Sequence, residues 1–238
     1  MNYPDFEAWI RASMNDVTLS DETAIWQIVD VIAATNAAIR DYSQNLPRER
    51  SATLTVVAGQ REYDLPEDIL SPPATAIVAL YWQRVGYERD YLKLVDMQSG
   101  RTERISVSGT GKGFSIWGDQ LILEDAPVSS DAEYPIYLRY RGLHALVPSD
   151  DDDRELFTFS IPEADMNLIY WYAGSLLMAK LEADDSYLRQ YAGREDLGIR
   201  RDDSPVLKSA DWRMKQYQEG MRLRLGRKVS VRLVRSRR

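Results

Sequence analysis

The sequence has no cysteine and a single histidine, His144, among 238 residues. The missing cysteines exclude disulfides, thiolate nucleophiles and cysteine-ligated zinc, and fit a chain made in the cytosol. One histidine cannot build a histidine-rich metal centre, and a Ser-His-Asp triad would hang on that residue alone. Long apolar runs are absent too: none approaches the roughly 18–20 residues that span a bilayer, so no transmembrane helix is expected. Met1–Asp16 contains no basic patch followed by an apolar stretch, so no secretory signal is expected. What is present is ordinary for a folded protein. Hydrophobic residues make up 44% and charged residues 28%, enough for one large domain or two small ones.

The net charge of -7 hides an asymmetry. From Arg213 to Arg238 there are ten Lys/Arg and one acid, Glu219, a balance of +9. The chain before Arg213 holds 20 basic and 36 acidic side chains, a balance of -16. An acidic body carries a basic tail. Such tails dock on nucleic acid, an acidic protein surface or an anionic membrane. The body itself would repel phosphates, so it suits a surface that stays near DNA without binding it.

Hydrophobic periodicity divides the chain into helices, strands and helices again. Residues 1–50 read as helical. Pro4 suits a first helical position, with Phe6, Trp9 and Ile10 on one face. A second helix is expected with Ser20 as its cap, Asp21 and Glu22 in its first turn, and Ile25, Ile28, Val29, Ile32 and Ile39 at helical spacing, stopping at Leu46-Pro47. Residues 51–148 change to short extended segments: Leu54 and Val56 in alternation, a turn at Gly59-Gln60, then Glu62–Pro66. Further strands are predicted at Ala76–Trp82, Tyr91–Val95, Arg104–Ser108, Phe114–Trp117, Gln120–Glu124 and Pro135–Arg141, with a hairpin turn at Trp117-Gly118-Asp119-Gln120.

Helical spacing returns in residues 149–225. Ser160 and Glu163 are placed for a capping box around Pro162. The helix they introduce should bury Met166, Ile169, Tyr170, Ala173, Leu176, Leu177 and Leu181. A shorter helix is expected from about Asp185 to Arg194, and a last one from about Ser209 to Leu225 after the Ser204-Pro205 break. Residues 226–238 form a basic C-terminal arm. This order predicts an α+β protein: a helical bundle from N- and C-terminal helices, an inserted antiparallel β-sandwich or partial barrel, and an extended C-terminal arm.

Few motifs carry chemistry. Ser108-Gly109-Thr110-Gly111-Lys112-Gly113 resembles a phosphate cradle but fails both glycine-loop patterns, since Gly113 stands where a Walker loop needs Ser or Thr and a strand follows, not a helix. It reads as a hairpin loop. Asp150–Asp153 lacks the alternating ligands of a calcium loop and reads as a solvated acidic turn. His144 has no positioned nucleophile and reads as structural. With 37 acidic residues, any chosen carboxylate pair carries almost no information about glycosidase chemistry. Tyr170, Trp171, Tyr172, Tyr187 and Tyr191 could stack on sugars or bases, but aromatics at helical spacing beside leucines favour packing or a subunit interface. No catalytic residue, metal site or cofactor is assigned.

The C-terminal arm is the most informative feature. Met221, Leu223 and Leu225 interleave with Arg222 and Arg224, and Val229-Ser230-Val231-Arg232-Leu233 alternates apolar and polar residues. That pattern suits a strand that finds its partner on another chain, its arginines meeting acids. A further strand of its own domain and a DNA-binding tail are the other readings of the same letters.

Several phrases of the chain resemble tailed-bacteriophage head-to-tail adaptor, or connector, proteins. Thr53–Asp68 (TLTVVAGQREYDLPED) resembles the entry to their β-domain. Ile116–Pro127 (IWGDQLILEDAP) resembles a hairpin of that group, Tyr137–Arg141 the strand that follows it, and Leu168–Asp185 the next helix. The resemblance covers about residues 20 to 220. It implies a non-enzymatic virion neck protein in a ring, commonly twelvefold, beneath the portal protein. Its helical part would face the portal and its β-domain would face tail components, with genomic DNA passing unbound. The C-terminal segment would reach into the portal, with Arg222, Arg224, Arg227, Lys228, Arg232 and Arg235 at the contact and Val229, Val231 and Leu233 as apolar anchors. The protein would wait in the host cytoplasm before assembly and contact no membrane. A tail-tube gatekeeper or stopper, a carbohydrate-active or carbohydrate-binding module, and a regulatory nucleic-acid-binding protein are the competing expectations.

Overall fold

The computed structural model describes residues 1–14, 16, 24–82, 90–94, 113–128, 134–191 and 205–235. The chain divides into two compact units: Met1–Leu46 with His144–Arg238, and Pro47–Leu143.

The first unit is helical. Helix α1, Tyr3–Ser13, starts where the Asn2 side chain accepts the Asp5 N–H at 2.9 Å, and it buries Tyr3, Phe6 and Ile10. Helix α2, Ile28–Asn45, buries Val31, Ile32, Ala38, Ile39 and Tyr42 and ends before Pro47. It begins later than the spacing predicts. The Ile25 N–H is taken by the Asp16 carboxylate at 2.8 Å, the same carboxylate that pairs with Arg11, so this segment is held by a side chain instead of a helical ladder. Ile25 and Val29 are accordingly exposed. The expected cap Ser20 and the acids Asp21 and Glu22 lie outside the described residues.

The acidic run is also more than a turn. Asp150 caps a short helix α4, Asp151–Leu156, by accepting the Asp152 N–H at 3.0 Å, with Asp151, Asp152 and Asp153 at its positive end. Helix α3 is the four-residue turn Pro73–Ala76 in the other unit. Helix α5, Met166–Tyr191, follows a 3₁₀ turn at Glu163–Asp165 that has no side-chain cap. Ser160 is committed elsewhere, to His144, so the predicted capping box does not form. The shorter helix expected from Asp185 is the continuation of α5 as far as Tyr191; the remainder lies outside the described residues. Helix α6 runs from Pro205 to Arg235, with proline at its first position.

These helices share a core of Phe6, Ile10, Trp26, Val31, Ile39, Ile169, Ala173, Leu177, Tyr217 and Met221. At roughly 1.5–3 kcal/mol per large side chain, this burial is the main term holding the unit together. The Trp26 indole N–H is satisfied by the Leu177 carbonyl at 3.1 Å.

The second unit contains β1 Arg48–Leu54, β2 Glu62–Asp64, β3 Ile77–Trp82, β4 Asp90–Tyr91, β5 Lys93–Leu94, β6 Gly113–Trp117, β7 Gln120–Leu123 and β8 Ile136–Gly142. They form two four-stranded sheets, β1-β8-β3-β4 and β2-β7-β6-β5, with no closed barrel among the described residues. Alternation sets the inner faces. Ile136, Leu138 and Tyr140 of β8 point into the same core as Tyr63, Phe114, Leu121 and Leu123 of the other sheet.

The single strand predicted at Tyr91–Val95 is two. β4 pairs with β3 and β5 with β6, so the chain passes from one sheet to the other at buried Leu92, whose N–H bonds the Leu80 carbonyl at 2.9 Å. The short β5–β6 pair is parallel, the exception among the described pairs in an otherwise antiparallel β-unit. The hairpin at Gly118 is as predicted, with φ +59° at the glycine and Trp117 opposite Gln120. The strand expected at Arg104–Ser108 and the glycine loop up to Lys112 lie outside the described residues.

Candidate functional site

The C-terminal helix is the element the sequence marks for function, and the structure shows how its base is fixed. The inward register of α6 carries Ala210, Arg213, Tyr217 and Met221, all buried, at spacings of three and four residues. Two polar ties bind this face to the rest of the helical unit. The Tyr217 hydroxyl donates a short hydrogen bond to Asp41 of α2, and its ring meets Tyr172 edge-on at 4.9 Å. Arg224 forms an ion pair with Asp165 of the 3₁₀ turn, and the same carboxylate accepts the Tyr42 hydroxyl at 2.8 Å. Burial, then the adjacent carboxylate, pushes both the Tyr42 and Tyr217 hydroxyls above the ordinary tyrosine range. Both stay neutral donors, which is what an acceptor carboxylate requires.

The helix does not stop at its last tie. Beyond Arg224 it continues as far as Arg235, about 13 Å past Gly226 at 1.5 Å per residue. This corrects the extended arm and strand expected at residues 229–233. The apolar residues there also sit at Leu225, Val229 and Leu233, an i, i+4, i+8 row, and adding residues to a formed helix is cheaper than starting a strand without a partner. The predicted site residues therefore share one helix. Arg222 is exposed and pairs with Glu219, Arg224 is held by Asp165, and Arg227, Lys228, Val229, Val231, Arg232, Leu233 and Arg235 lie on the last turns.

The other candidates resolve into structure. His144 is buried, with Nδ1 3.0 Å from Ser160 Oγ and Nε2 3.2 Å from the Leu46 carbonyl. A carbonyl only accepts, so Nε2 carries the proton and Nδ1 accepts from the Ser160 hydroxyl. The imidazole thus pins the end of α2 to the segment before α5. Tyr170 stacks on Trp9 at 4.2 Å, and Tyr172 and Trp171 pack on the helical core, so these rings are spent on packing. The side chains of Tyr187 and Tyr191 lie outside the description. Among the described residues no group of His, Asp or Glu is arranged to hold a metal, and no helix is long and apolar enough to cross a membrane.

The residues missed in the sequence are the anchors Asp41, Tyr42, Asp165 and Tyr217. Their one signal is register. Tyr42 follows Ile39 by three on the buried face of α2, and Asp165 directly precedes the apolar start of α5.

A family model for the SU10 adaptor protein matches residues 1–215. The chain belongs to the SU10 adaptor protein family. This is a family of phage head-to-tail adaptors, structural proteins. The match spans both units and ends within α6, before Tyr217, Arg222 and Arg224, so the basic end of the helix lies beyond it. A search of curated proteins finds no match.

Proposed function

We propose that this SU10-family adaptor stands in the virion neck as one copy of a ring, commonly twelvefold, beneath the portal protein. There it joins capsid to tail and surrounds the channel through which DNA leaves. The family match over residues 1–215 carries the reading. The charge division supports it: a body of -16 lets the genome slide past, while +9 from Arg213 onward favours an acidic protein surface. A ring of identical subunits uses head-to-tail interfaces that close by rotation.

In this reading the end of α6 is the portal contact. Arg222, Arg227, Lys228, Arg232 and Arg235 supply charge, Val229, Val231 and Leu233 supply apolar area, and Arg224 with Asp165 fixes the base from which the helix projects. The test is a chain ending at Leu225, assayed for binding to purified portal rings. The expected result is a folded protein with portal affinity lowered at least tenfold, and a steep salt dependence of the full chain that the shortened one lacks. Undiminished binding by the shortened chain contradicts the assignment.

A further inference from the structure

Arg213 is an unusual cation for this fold. It lies in the inward register of α6 and is 7% exposed. Its Cζ stands 5.0 Å over the ring of Tyr170, itself stacked on Trp9. Helix α5 makes room for it at Gly174, where a Cβ would come within 2.9 Å of Nη1. Yet Nε and Nη1 are buried and donate to no acceptor among the described residues.

The other partly buried arginines are treated differently. Arg11 is seated on Glu7 and Asp16, Arg50 on Asp68, and Arg224 on Asp165. Arg213 has an aromatic face and, among the described residues, no carboxylate. An aromatic quadrupole offsets only part of the cost of removing a guanidinium from water. Helix α5 thus seats, at Gly174, a guanidinium that meets no carboxylate among the described residues. The accessible remainder of Arg213 is narrow and Nε and Nη1 lie beneath it, so a side-chain rotation on contact is needed to bring the planar fork of donors to the two oxygens of a carboxylate. Beside it, Trp212 is 53% exposed, and Trp and Arg are among the residues most enriched at the centres of protein contacts.

We propose that Arg213 is the receiving half of a contact between copies of this chain, closed by a carboxylate from a second copy and covered by Trp212. Charge selects that occupant: before Arg213 the chain carries -16, so a neighbouring copy presents carboxylates in excess. The proposal rests on the ring reading and deepens it. In a head-to-tail ring each subunit gives one Arg213 and one carboxylate, and the pair repeats around the circle.

The experiment compares full-length wild type, Arg213→Met and Arg213→Lys by sedimentation and thermal unfolding. Arg213→Met keeps the length and removes the charge. The expected result is an unfolding temperature unchanged or about 2–4 °C higher, with self-association weakened at least tenfold. Arg213→Lys keeps the charge and permits zero-length carbodiimide coupling. In a mixture of isotopically light and heavy chains, the introduced amine should join an Asp or Glu of the other copy.

Several results overturn the proposal. In one, Arg213→Met lowers the unfolding temperature by several degrees and leaves association intact, which makes Arg213 an internal brace. Others are coupling within a single copy, a wild type that stays monomeric to about 1 mM, or preferential binding of inorganic phosphate lost in Arg213→Met. The ring itself is judged separately, by copy number in particles: a ring without this link removes Arg213 and leaves the neck reading in place.

Discussion

Asp165 is the residue on which the helical unit converges, because its carboxylate holds Tyr42 of α2 and Arg224 of α6 together. Replacing it by Asn keeps the shape and removes the charge, leaving Arg224 half-buried without its counterion. Asp165→Asn should cost about 2–3 kcal/mol in urea unfolding, and a double-mutant cycle with Arg224→Met should recover much of that loss. In the β-unit, the Tyr140 hydroxyl donates to Asp68 at 2.8 Å, and burial with that carboxylate pushes it up to about 12. The unfolded chain releases this proton near pH 10 and the folded one later, so the contribution is complete below pH 10 and is lost as pH rises towards 12. Between those limits Tyr140→Phe should flatten the fall of stability with pH, by an amount on the order of 1–3 kcal/mol. Neither carboxylate could be assigned from the letters alone, since Asp165 meets Tyr42 across 123 positions and Asp68 meets Tyr140 across 72. Ser160 illustrates the opposite error. A local capping pattern was present, but a buried imidazole claimed the hydroxyl.

Elements with strong local signals were legible: α1 from Pro4 and its apolar face, the Gly118 hairpin, and the alternating β8. Those that depend on distant pairing were not. The division of β4 from β5 and the parallel β5–β6 pair follow from which sheet each fragment joins, and nothing in so short a stretch of letters records that. The end of α6 shows how a brief alternation misleads, because apolar residues at period two also supply an i, i+4 row. This helical course makes a prediction. Gly226 lies within α6 with no atom within 4 Å of a Cβ built there, so Gly226→Ala gains helix propensity without a clash. It should raise helical ellipticity and stabilise the last turns by about 1 kcal/mol, seen as slower amide exchange around residue 226. An unchanged signal means that the segment is not helical in solution.

For the whole molecule, the legible facts were the absences and the charge division: no cysteine, one histidine, an acidic body and a basic end. The phrases resembling phage adaptors agree with the family match over residues 1–215. No residue pattern carried a ring, because symmetric assembly is a property of surfaces that meet between copies, and the letters of one chain do not mark which of its patches meet. The most direct test of the neck assignment is the number of copies of this chain in purified virus particles, measured by quantitative mass spectrometry against the portal protein. About twelve copies per particle are expected, in a fixed ratio to the portal. Absence from the particle, or copies by the hundred as for a shell protein, would contradict the assignment.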